Sequence, residues 1–278
     1  MSTNNDDHPI PHYLFGHSAQ ETQQLQLQAR ALFPATRHFL QRAGLTQGMR
    51  VLEVGSGAGD VALLAADLVG PTGQVIGIEK NPRILETARK RAQAAGVLHV
   101  SFQEADLTSL QVEHEFDALV GRYILQHLPE PATALRQLAQ YVRPGGIVVF
   151  LEADLTHLGT CVPHAPLFEQ VGEWIKEAFR RSGIDTQMGL RLYHVFLEAG
   201  LPAPQIACES FIGGGTDWPW YELIAGRVRS LLPALLQHRI ATQEEIGIET
   251  LAFRLRDALV SQRGVGMAPD LIAAWTQL

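Results

Sequence analysis

The segment 51–60 constrains the fold of this chain more than any other, because it joins a short apolar run to closely spaced glycines and then to a helical pattern. Its apolar first half predicts a buried β-strand. Glycines follow at alternate positions: Gly55, Gly57 and Gly59. They permit a tight turn and a close approach of the backbone to a ligand. Apolar residues between 61 and 68 then predict a helix whose first N–H groups face that ligand. Together these features predict a binding site of the nucleotide type.

A second apolar run, Gln74–Glu79, also ends in an acid. A carboxylate at the end of this strand can accept hydrogen bonds from both hydroxyls of a ribose. Asn81 and Pro82 then favour the start of a helix, with Asn81 as its N-cap. The alternative interpretation of Glu79 is an ordinary solvated loop acid. The strand–turn–helix context favours ribose contact.

The glycine spacing alone leaves two cofactor classes open. A dinucleotide fingerprint has the form G-x-G-x-x-G, with the helix N–H groups facing a pyrophosphate. Counted from Gly55, its sixth position is Asp60, an acid where a pyrophosphate would sit. Counted from Gly57, its sixth position is Ala62, a substitute that the fingerprint allows. A nicotinamide site is therefore still compatible with this motif.

The wider pattern favours the other class. Glu53-x-Gly55-x-Gly57-x-Gly59 resembles the first motif of the class I S-adenosylmethionine (SAM) methyltransferases of the small-molecule type, which include ubiquinone/menaquinone-type and natural-product enzymes. Three more strand segments follow in the order that this family shows: Val100–Leu107, Phe116–Tyr123 and Ile147–Leu151. The resemblance is strongest over about residues 45–155, and the order of the motifs is more specific than any one of them.

The resemblance implies an α/β fold: a doubly wound, Rossmann-like sheet of seven mostly parallel strands, with one antiparallel edge strand and a helical lid insertion. The expected parts are a flexible N-terminal tail (1–17), an N-terminal helical cap (18–43), a SAM-binding core (44–212), a helical lid (213–264) and the last strand of the sheet (265–278).

Local signals predict further elements. Pro34 is expected to kink or restart the N-terminal helix. A helix from Pro131 is expected to carry Val142 on its apolar face, with the fifth strand beginning only afterwards. The segment 242–261 is predicted as one helix, because it opens with a capping box and carries a continuous apolar stripe.

The resemblance also implies which residues form the site. The expected cofactor contacts are Glu53, Gly55, Ser56, Gly57, Gly59, Glu79, Lys80, Asn81, Ala105, Asp106, Leu107, Arg122, Tyr123 and His127. Within this set, Asp106 resembles the residue that meets the adenine amino group, and Leu107 the one on the ring face. The expected substrate contacts are Tyr13, His17, Tyr123, Trp218, Trp220 and Tyr221. The alternative for Tyr13 and His17 is an N-terminal helix that merely covers the sheet, and the alternative for Trp218, Trp220 and Tyr221 is a role in the core.

The expected reaction moves a methyl group from S-adenosyl-L-methionine to an oxygen, nitrogen or carbon of a small organic acceptor, leaving S-adenosyl-L-homocysteine. This is an in-line displacement in which positioning supplies much of the rate. A base is needed only if the acceptor must lose a proton. His127 and Glu152 are the candidate catalytic residues, and His157 also follows a predicted strand; His127 has a structural role as its alternative.

Two other functions are compatible with parts of the pattern. A non-catalytic SAM-binding or scaffold protein would keep the same cofactor motifs, although the predicted lid favours an enzyme. An NAD(P)-dependent oxidoreductase would share the strand–glycine–acid order, but the chain lacks a Tyr-x-x-x-Lys constellation for hydride transfer.

Composition narrows the partners. The net charge of −7 disfavours a nucleic-acid partner, and the basic triplet 89–91 is predicted to be a solvated helix face. No apolar stretch reaches the roughly 18 residues of a membrane span, which predicts no membrane partner. The polar start is unlike a secretory signal, and two cysteines fit the reducing cytoplasm. The histidines show no metal-ligand spacing, so no metal is expected. The oligomeric state is left open.

Overall fold

The computed structural model describes residues 19–112 and 115–278, and of the side chains it describes those from residue 27 onward. The predicted tail and two of the expected substrate contacts, Tyr13 and His17, lie outside the described residues.

The strands, in chain order, are β1 (Arg50–Val54), β2 (Gln74–Glu79), β3 (Val100–Glu104), β4 (Phe116–Arg122), β5 (Val142–Asp154), β6 (Cys161–Val162), β7 (Gln205–Glu209), β8 (Ile212–Gly213), β9 (Val265–Met267) and β10 (Asp270–Gln277). The α-helices are α1 (Ala19–Ala43), α2 (Asp60–Val69), α3 (Pro82–Ala94), α4 (Pro131–Ala139), α5 (Pro166–Arg181), α6 (Met188–Glu198), α7 (Trp220–Gln237), α8 (Gln243–Ile246) and α9 (Leu251–Val260). Single 3-10 turns cover Leu107–Ser109 and Leu125–His127.

The chain forms two compact units. We call them the sheet unit (residues 25–158, 185–213 and 267–278) and the helical unit, whose described part includes 159–184 and 214–266. In the helical unit, α5, α7 and α9 pack against one another, and β6 pairs antiparallel with β9. The domain boundaries expected from the sequence stay a prediction.

The sheet unit holds a seven-stranded sheet in the order β3-β2-β1-β4-β5-β10-β7. Strands β1 to β5 pair in parallel, and β10 runs antiparallel to both β5 and β7. This confirms the predicted doubly wound, mostly parallel sheet. The expectation of an antiparallel edge strand is wrong, because the antiparallel strand is β10, which lies one position inside the edge. Seven of its eight residues are buried, whereas β7 at the edge is mostly exposed.

The expected boundary between α4 and β5 is also wrong. The helix ends at Ala139, and Val142 already pairs with Phe116 of β4. The Pro-Gly-Gly turn lies inside the strand as an irregularity, since the register moves from Val142 opposite Phe116 to Ile147 opposite Ala118. A turn motif can therefore interrupt a strand pair without ending it.

Two helix predictions also differ from the structure. Helix α1 continues through Pro34, so the restart expected there does not occur, while the kink stays a prediction. The segment predicted as a single helix from Thr242 is split, because Gly247 adopts a left-handed conformation (φ 49°) between α8 and α9. The capping box itself is confirmed: Thr242 and Glu245 exchange side-chain-to-backbone hydrogen bonds.

Candidate functional site

The three glycines after β1 all have positive φ angles, of 68°, 51° and 83°. Their surroundings differ. A Cβ on Gly55 would lie 2.6 Å from Ile124 Cδ1, and one on Gly59 would lie 2.9 Å from the Phe102 ring. A Cβ on Gly57 would have no atom of the described residues within 4 Å. Gly55 and Gly59 thus serve close packing, whereas Gly57 faces the open space that a ligand can enter.

Glu79 connects this turn to the end of β2. Its Oε2 accepts a hydrogen bond from the Gly57 amide at 3.0 Å, and its Oε1 accepts one from the Asn81 amide at 2.9 Å. The side chain is buried, so the alternative of a solvated loop acid does not hold. Each carboxylate oxygen can accept more than one hydrogen bond, which leaves capacity for ribose hydroxyls. Asn81 caps α3 as predicted, with Oδ1 accepting from the Arg83 amide at 3.0 Å.

Glu53 lies on β1 and accepts a backbone hydrogen bond from Ala62, in the first turn of α2. Burial raises the pKa of this carboxyl group to about 8, against the opposing effect of the Arg122 charge. Among the described residues, neither Glu53 Oε2 nor the buried Ser56 Oγ has a hydrogen-bond partner. Both atoms are polar groups that a ligand can satisfy.

Two acidic side chains of the protein therefore already lie at the N-terminus of α2. Glu53 accepts from its first turn, and Asp60 is the first residue of the helix. A dinucleotide site places a pyrophosphate at this position, where the helix N–H groups must be free to bind it. The geometry is thus unfavourable to a pyrophosphate and favours the cofactor without one.

The basic triplet on α3 differs from its predicted role. Arg91 pairs with Asp60 at 2.7 Å and donates to the Ala58 carbonyl, while Arg89 donates to the Phe102 carbonyl. Arg89 and Lys90 are both exposed, as a solvated helix face requires, and Lys90 forms a loose pair with Glu86 at 3.6 Å, so the triplet departs from its predicted role at Arg91. Arg91 is thus a site residue that the sequence reading missed, because its partners lie more than 30 positions away and no local pattern marks them.

The loop after β4, residues 123–127, is held by Glu152 of β5. Glu152 Oε1 accepts from the amides of Ile124 and Leu125 at 2.9 and 2.8 Å, and the Gln126 amide also contributes. The side chain has no exposed surface, and burial raises its pKa to about 8 despite these donors. This environment makes Glu152 a positioning residue for the loop; direct catalysis by it stays a prediction.

The loop and the last residue of β4 carry three of the expected contacts. Tyr123 has a left-handed backbone (φ 58°), an uncommon conformation that clusters at functional sites. Arg122 donates to the buried Thr36 of α1 at 3.0 Å, which brings that helix to the end of β4. His127 ends the 3-10 turn, and its Nε2 lies 3.2 Å from the Gln126 side-chain nitrogen, a donor. That contact engages one of the two ring nitrogens of His127.

The expected adenine contacts follow β3. Asp106 caps the 3-10 turn that begins at Leu107, and it accepts from the amide and hydroxyl of Thr108 at 2.9 and 2.7 Å. These hydrogen bonds, the backbone one first, lower the pKa of Asp106, so it is ionised and can accept from an amine. Two further expected cofactor contacts lie nearby. Lys80 is exposed. The Ala105 amide donates a hydrogen bond to the Glu79 carbonyl at 3.2 Å.

The aromatic residues expected to contact substrate lie in the helical unit. Trp218 packs edge-on against Tyr221, with 5.1 Å between the ring centroids, and its ring centroid lies 6.2 Å from that of Phe168. Trp220 and Tyr221 are buried, which is the surrounding expected of core residues. The Tyr221 hydroxyl has no hydrogen-bond partner in the described part of the chain. A substrate role for these residues stays a prediction.

Comparison with known proteins agrees with this geometry. A family described as "Methyltransferase domain" matches residues 45–200. The 2-phytyl-1,4-naphtoquinone methyltransferase of Synechococcus elongatus is 36% identical over 125 residues, which are 44% of this chain and 51% of that protein. The ubiquinone/menaquinone biosynthesis C-methyltransferase of Pseudomonas putida is 32% identical over 118 residues, 42% of this chain and 46% of that protein. The chain thus spans about half the length of the curated relatives it matches.

Solved structures extend the likeness to most of the chain. A putative methyltransferase from Bacillus halodurans covers 87% of this chain and 97% of its own, with a TM-score of 0.57 and 17% identity. Phosphoethanolamine N-methyltransferase 2 of Haemonchus contortus covers 87% of this chain and 52% of its own, with a TM-score of 0.54 and 18% identity. At these identities the likeness concerns the fold. Within the described residues, no helix is both long and apolar enough to cross a membrane.

Proposed function

This chain belongs to the methyltransferase-domain family, and from that membership we propose that it transfers a methyl group from SAM to a small organic acceptor. The observation that carries the proposal is the placement of Glu79 beside the open position at Gly57. A buried carboxylate there, at the end of β2, presents acceptors for ribose hydroxyls next to a backbone that leaves room for the ligand.

The charges of the site also suit this ligand. Asp60 and Glu79 lie around the glycine turn and offer acceptors and negative charge, while Glu53, whose pKa burial raises to about 8, offers a carboxyl group that keeps its proton near neutral pH. SAM carries a positive sulfonium and an ammonium group, whereas a dinucleotide carries a negative pyrophosphate. Opposite charges attract most strongly where burial excludes water.

The residues take separate roles in the proposed complex. Glu79 holds the ribose, while Asp106 and Leu107 meet the adenine. Glu53 and Ser56 offer polar atoms at the turn that have no hydrogen-bond partner in the described chain. When bound, SAM supplies a methyl group already activated for displacement, so the chain has to position the acceptor rather than attack it covalently. The loop 123–127, tied to Glu152, is placed to do so.

For the acceptor and the cellular location the proposal is more general. The relatives named for naphthoquinone and ubiquinone/menaquinone make reduced quinones the first acceptors to assay. Phosphoethanolamine, from the name of a structural neighbour, is the second. The net charge of −7 suits a small molecule better than a nucleic acid. Both cysteines are free thiols, which fits a cytoplasmic protein.

Calorimetric titration with SAM, S-adenosyl-L-homocysteine (SAH) and NAD tests the proposal. We expect the two adenosyl ligands to bind and NAD not to bind. Glu79→Ala should weaken SAH binding by about 1–3 kcal/mol, since ribose hydroxyls lose their acceptor. Its matched control is Glu104→Ala, which removes the exposed acid paired with Glu79 in the sheet register.

Two results would contradict the proposal. Binding of NAD without the adenosyl ligands would overturn the cofactor assignment. Binding of SAH without methylation of any acceptor in a broad panel would favour a non-catalytic SAM-binding protein. Equal losses in Glu79→Ala and Glu104→Ala would remove the ribose assignment alone.

A further inference from the structure

We propose that His157, oriented by Asp270, is the general base of this methyltransferase, and that the acceptor carries an acidic hydroxyl of the phenol or hydroquinone type. The inference rests on the proposed methyl transfer. It is carried by a direct contact: His157 Nδ1 lies 2.8 Å from Asp270 Oδ2, although the two residues are 113 positions apart.

The pair lies at the carboxyl ends of the parallel strands, where the cofactor residues also lie. Asp270 begins β10 and pairs in register with Asp154, the last residue of β5. Because β10 is antiparallel, its first residue meets the carboxyl ends of the parallel strands. In α/β sheets of this kind, ligands bind at those carboxyl ends. The loop-holding Glu152 lies on the same strand, two residues before Asp154.

The short turn that carries His157 is held in place. Asp154 is buried, and its Oδ1 accepts from the Thr156 amide at 3.0 Å. The Leu155 amide donates to the Thr186 carbonyl at 2.9 Å, and the Leu158 amide closes the turn onto Leu155 at 3.1 Å. The backbone on both sides of His157 is therefore tied to the sheet unit.

Asp270 is built to orient the imidazole. Its side chain is 5% exposed, and its second oxygen accepts from Ser210 Oγ at 2.6 Å. A buried carboxylate needs such donors, so His157 donates through Nδ1–H. In the neutral imidazole the proton-free nitrogen is then Nε2, which is the form that a general base requires.

The other end of the ring is available. The His157 side chain is 54% exposed, and among the side chains that the structure describes, those of residues 27–112 and 115–278, Nε2 meets no hydrogen-bond partner. His127 differs, since its Nε2 faces the side-chain amide of Gln126. Ser210 lies on the carboxylate rather than on Nε2, so the three residues are not arranged as a nucleophilic triad.

The chemistry follows from this orientation. Nε2 takes the proton of the acceptor hydroxyl, and the electron pair released on the acceptor forms the new bond to the methyl carbon. The bond between that carbon and sulfur breaks with its pair going to sulfur, and the proton leaves the exposed imidazole for solvent. Neutral imidazole suits a phenolic hydroxyl, whose pKa is about 10 in tyrosine, better than an aliphatic alcohol.

The test compares His157→Gln and Asp270→Asn with the matched control His194→Gln. His194 is an exposed histidine that also pairs with an acid, Glu198, at 3.0 Å. The assays are SAH calorimetry, methylation of the probe 1,4-dihydroxynaphthalene, and ¹⁵N NMR of the histidine tautomers in the ligand-free protein. We expect the Nδ1–H tautomer of His157 in the wild type and a smaller fraction of it in Asp270→Asn.

Kinetics separate catalysis from structure. His157→Gln should lower kcat about 100-fold or more, the usual contribution of a general base, with unchanged SAH affinity. His157→Gly should regain turnover when free imidazole is added, because the site is open to solvent. His194→Gln should match the wild type in every assay.

Each contrary result has a distinct meaning. Wild-type protein that does not bind SAH would overturn the proposed function. Protein that binds SAH but shows the Nε2–H tautomer of His157, or keeps full turnover in His157→Gln, would overturn the base assignment while the methyltransferase proposal stands. Methylation of phosphoethanolamine without methylation of the naphthalenediol would overturn the acceptor class.

Discussion

The buried carboxylate of Glu152 accepts a hydrogen bond from the backbone amide of Leu125 at 2.8 Å, so the fifth strand fixes the loop that follows the fourth. This side chain reaches no solvent and yet has an oxygen without a partner among the described residues. Its position therefore serves the shape of the loop more directly than it serves proton transfer.

Substitution of Glu152 should separate these roles. Glu152→Gln keeps a carbonyl oxygen for the loop amides, whereas Glu152→Ala leaves them buried and unpaired. In Glu152→Ala the two loop amides lose their acceptor, and each unsatisfied group costs about 1–3 kcal/mol. We therefore expect the free energy of unfolding to fall by at least about 2 kcal/mol. We also expect this variant to bind SAH more weakly. Urea denaturation and calorimetry measure both. If the alanine variant is as stable as the glutamine variant, the amides do not depend on this carboxylate.

The two buried acids also predict how stability depends on pH. Burial raises the pKa of Glu53 and of Glu152 to about 8, above the ordinary value of 4.5 that applies in the unfolded chain. Between these values the folded protein holds protons that the unfolded chain has released. The free energy of unfolding should therefore fall as pH rises from about 5 to 8, by up to about 1.4 kcal/mol per pH unit for each group.

Urea denaturation across this pH range checks the sign. Glu152→Gln cannot ionise at this position, so its slope against pH should be smaller than that of the wild type. Glu104→Gln, an exposed acid, should leave the slope unchanged. A wild-type stability that rises over the whole window would contradict the assignment of raised pKa values.

Gly57 and Gly96 form a matched pair for testing the glycine turn. Both have positive φ angles, 51° and 66°, and a Cβ on either would have no atom within 4 Å in the part of the chain that the structure describes. Gly57→Ala and Gly96→Ala should therefore each lower the free energy of unfolding by a similar amount, roughly 1–2 kcal/mol, through backbone strain. Only Gly57→Ala should also reduce SAH affinity, because the added methyl group enters the ligand's space. Calorimetry on both variants decides this, and equal SAH affinities would mean that the ligand does not approach Gly57.

Arg91 and its neighbour Lys90 provide a second comparison. Arg91→Met removes the hydrogen bond to Ala58 and the ion pair with Asp60. We expect a loss of about 1–2 kcal/mol in unfolding free energy and weaker SAH binding, since the turn loses its support. Lys90→Met, which removes a mostly exposed pair, should stay within about 0.5 kcal/mol of the wild type. Thermal unfolding with and without SAH measures both effects.

The sequence predicted those parts of the site that depend on neighbouring residues. The glycine turn, the acid at the end of β2 and the Asn81 cap each involve residues close in the chain, so spacing and residue type are informative. The mostly parallel sheet was expected from the resemblance to the methyltransferase family, which rests on the order of the motifs along the chain.

Local sequence patterns do not predict contacts between segments that are distant in the chain. Arg91 looks like any charged residue on a helix surface until the fold brings it to Ala58. The pairing of His157 with Asp270 depends on the position of β10 in the sheet, which local patterns do not encode. The break at Gly247 shows the same limit within one segment, because a continuous apolar stripe is compatible with one helix or two.

The place of β10 has a consequence for how the chain is made. This strand separates β5 from β7, yet the ribosome produces it after both, with the whole stretch 210–269 in between. Until β10 arrives, the nascent chain holds the long, apolar β5 with one side unpaired, and such an edge can recruit strands from other chains. Vectorial synthesis thus exposes the protein to misassociation at β5, and the late strand that closes the gap also delivers the carboxylate partner of His157.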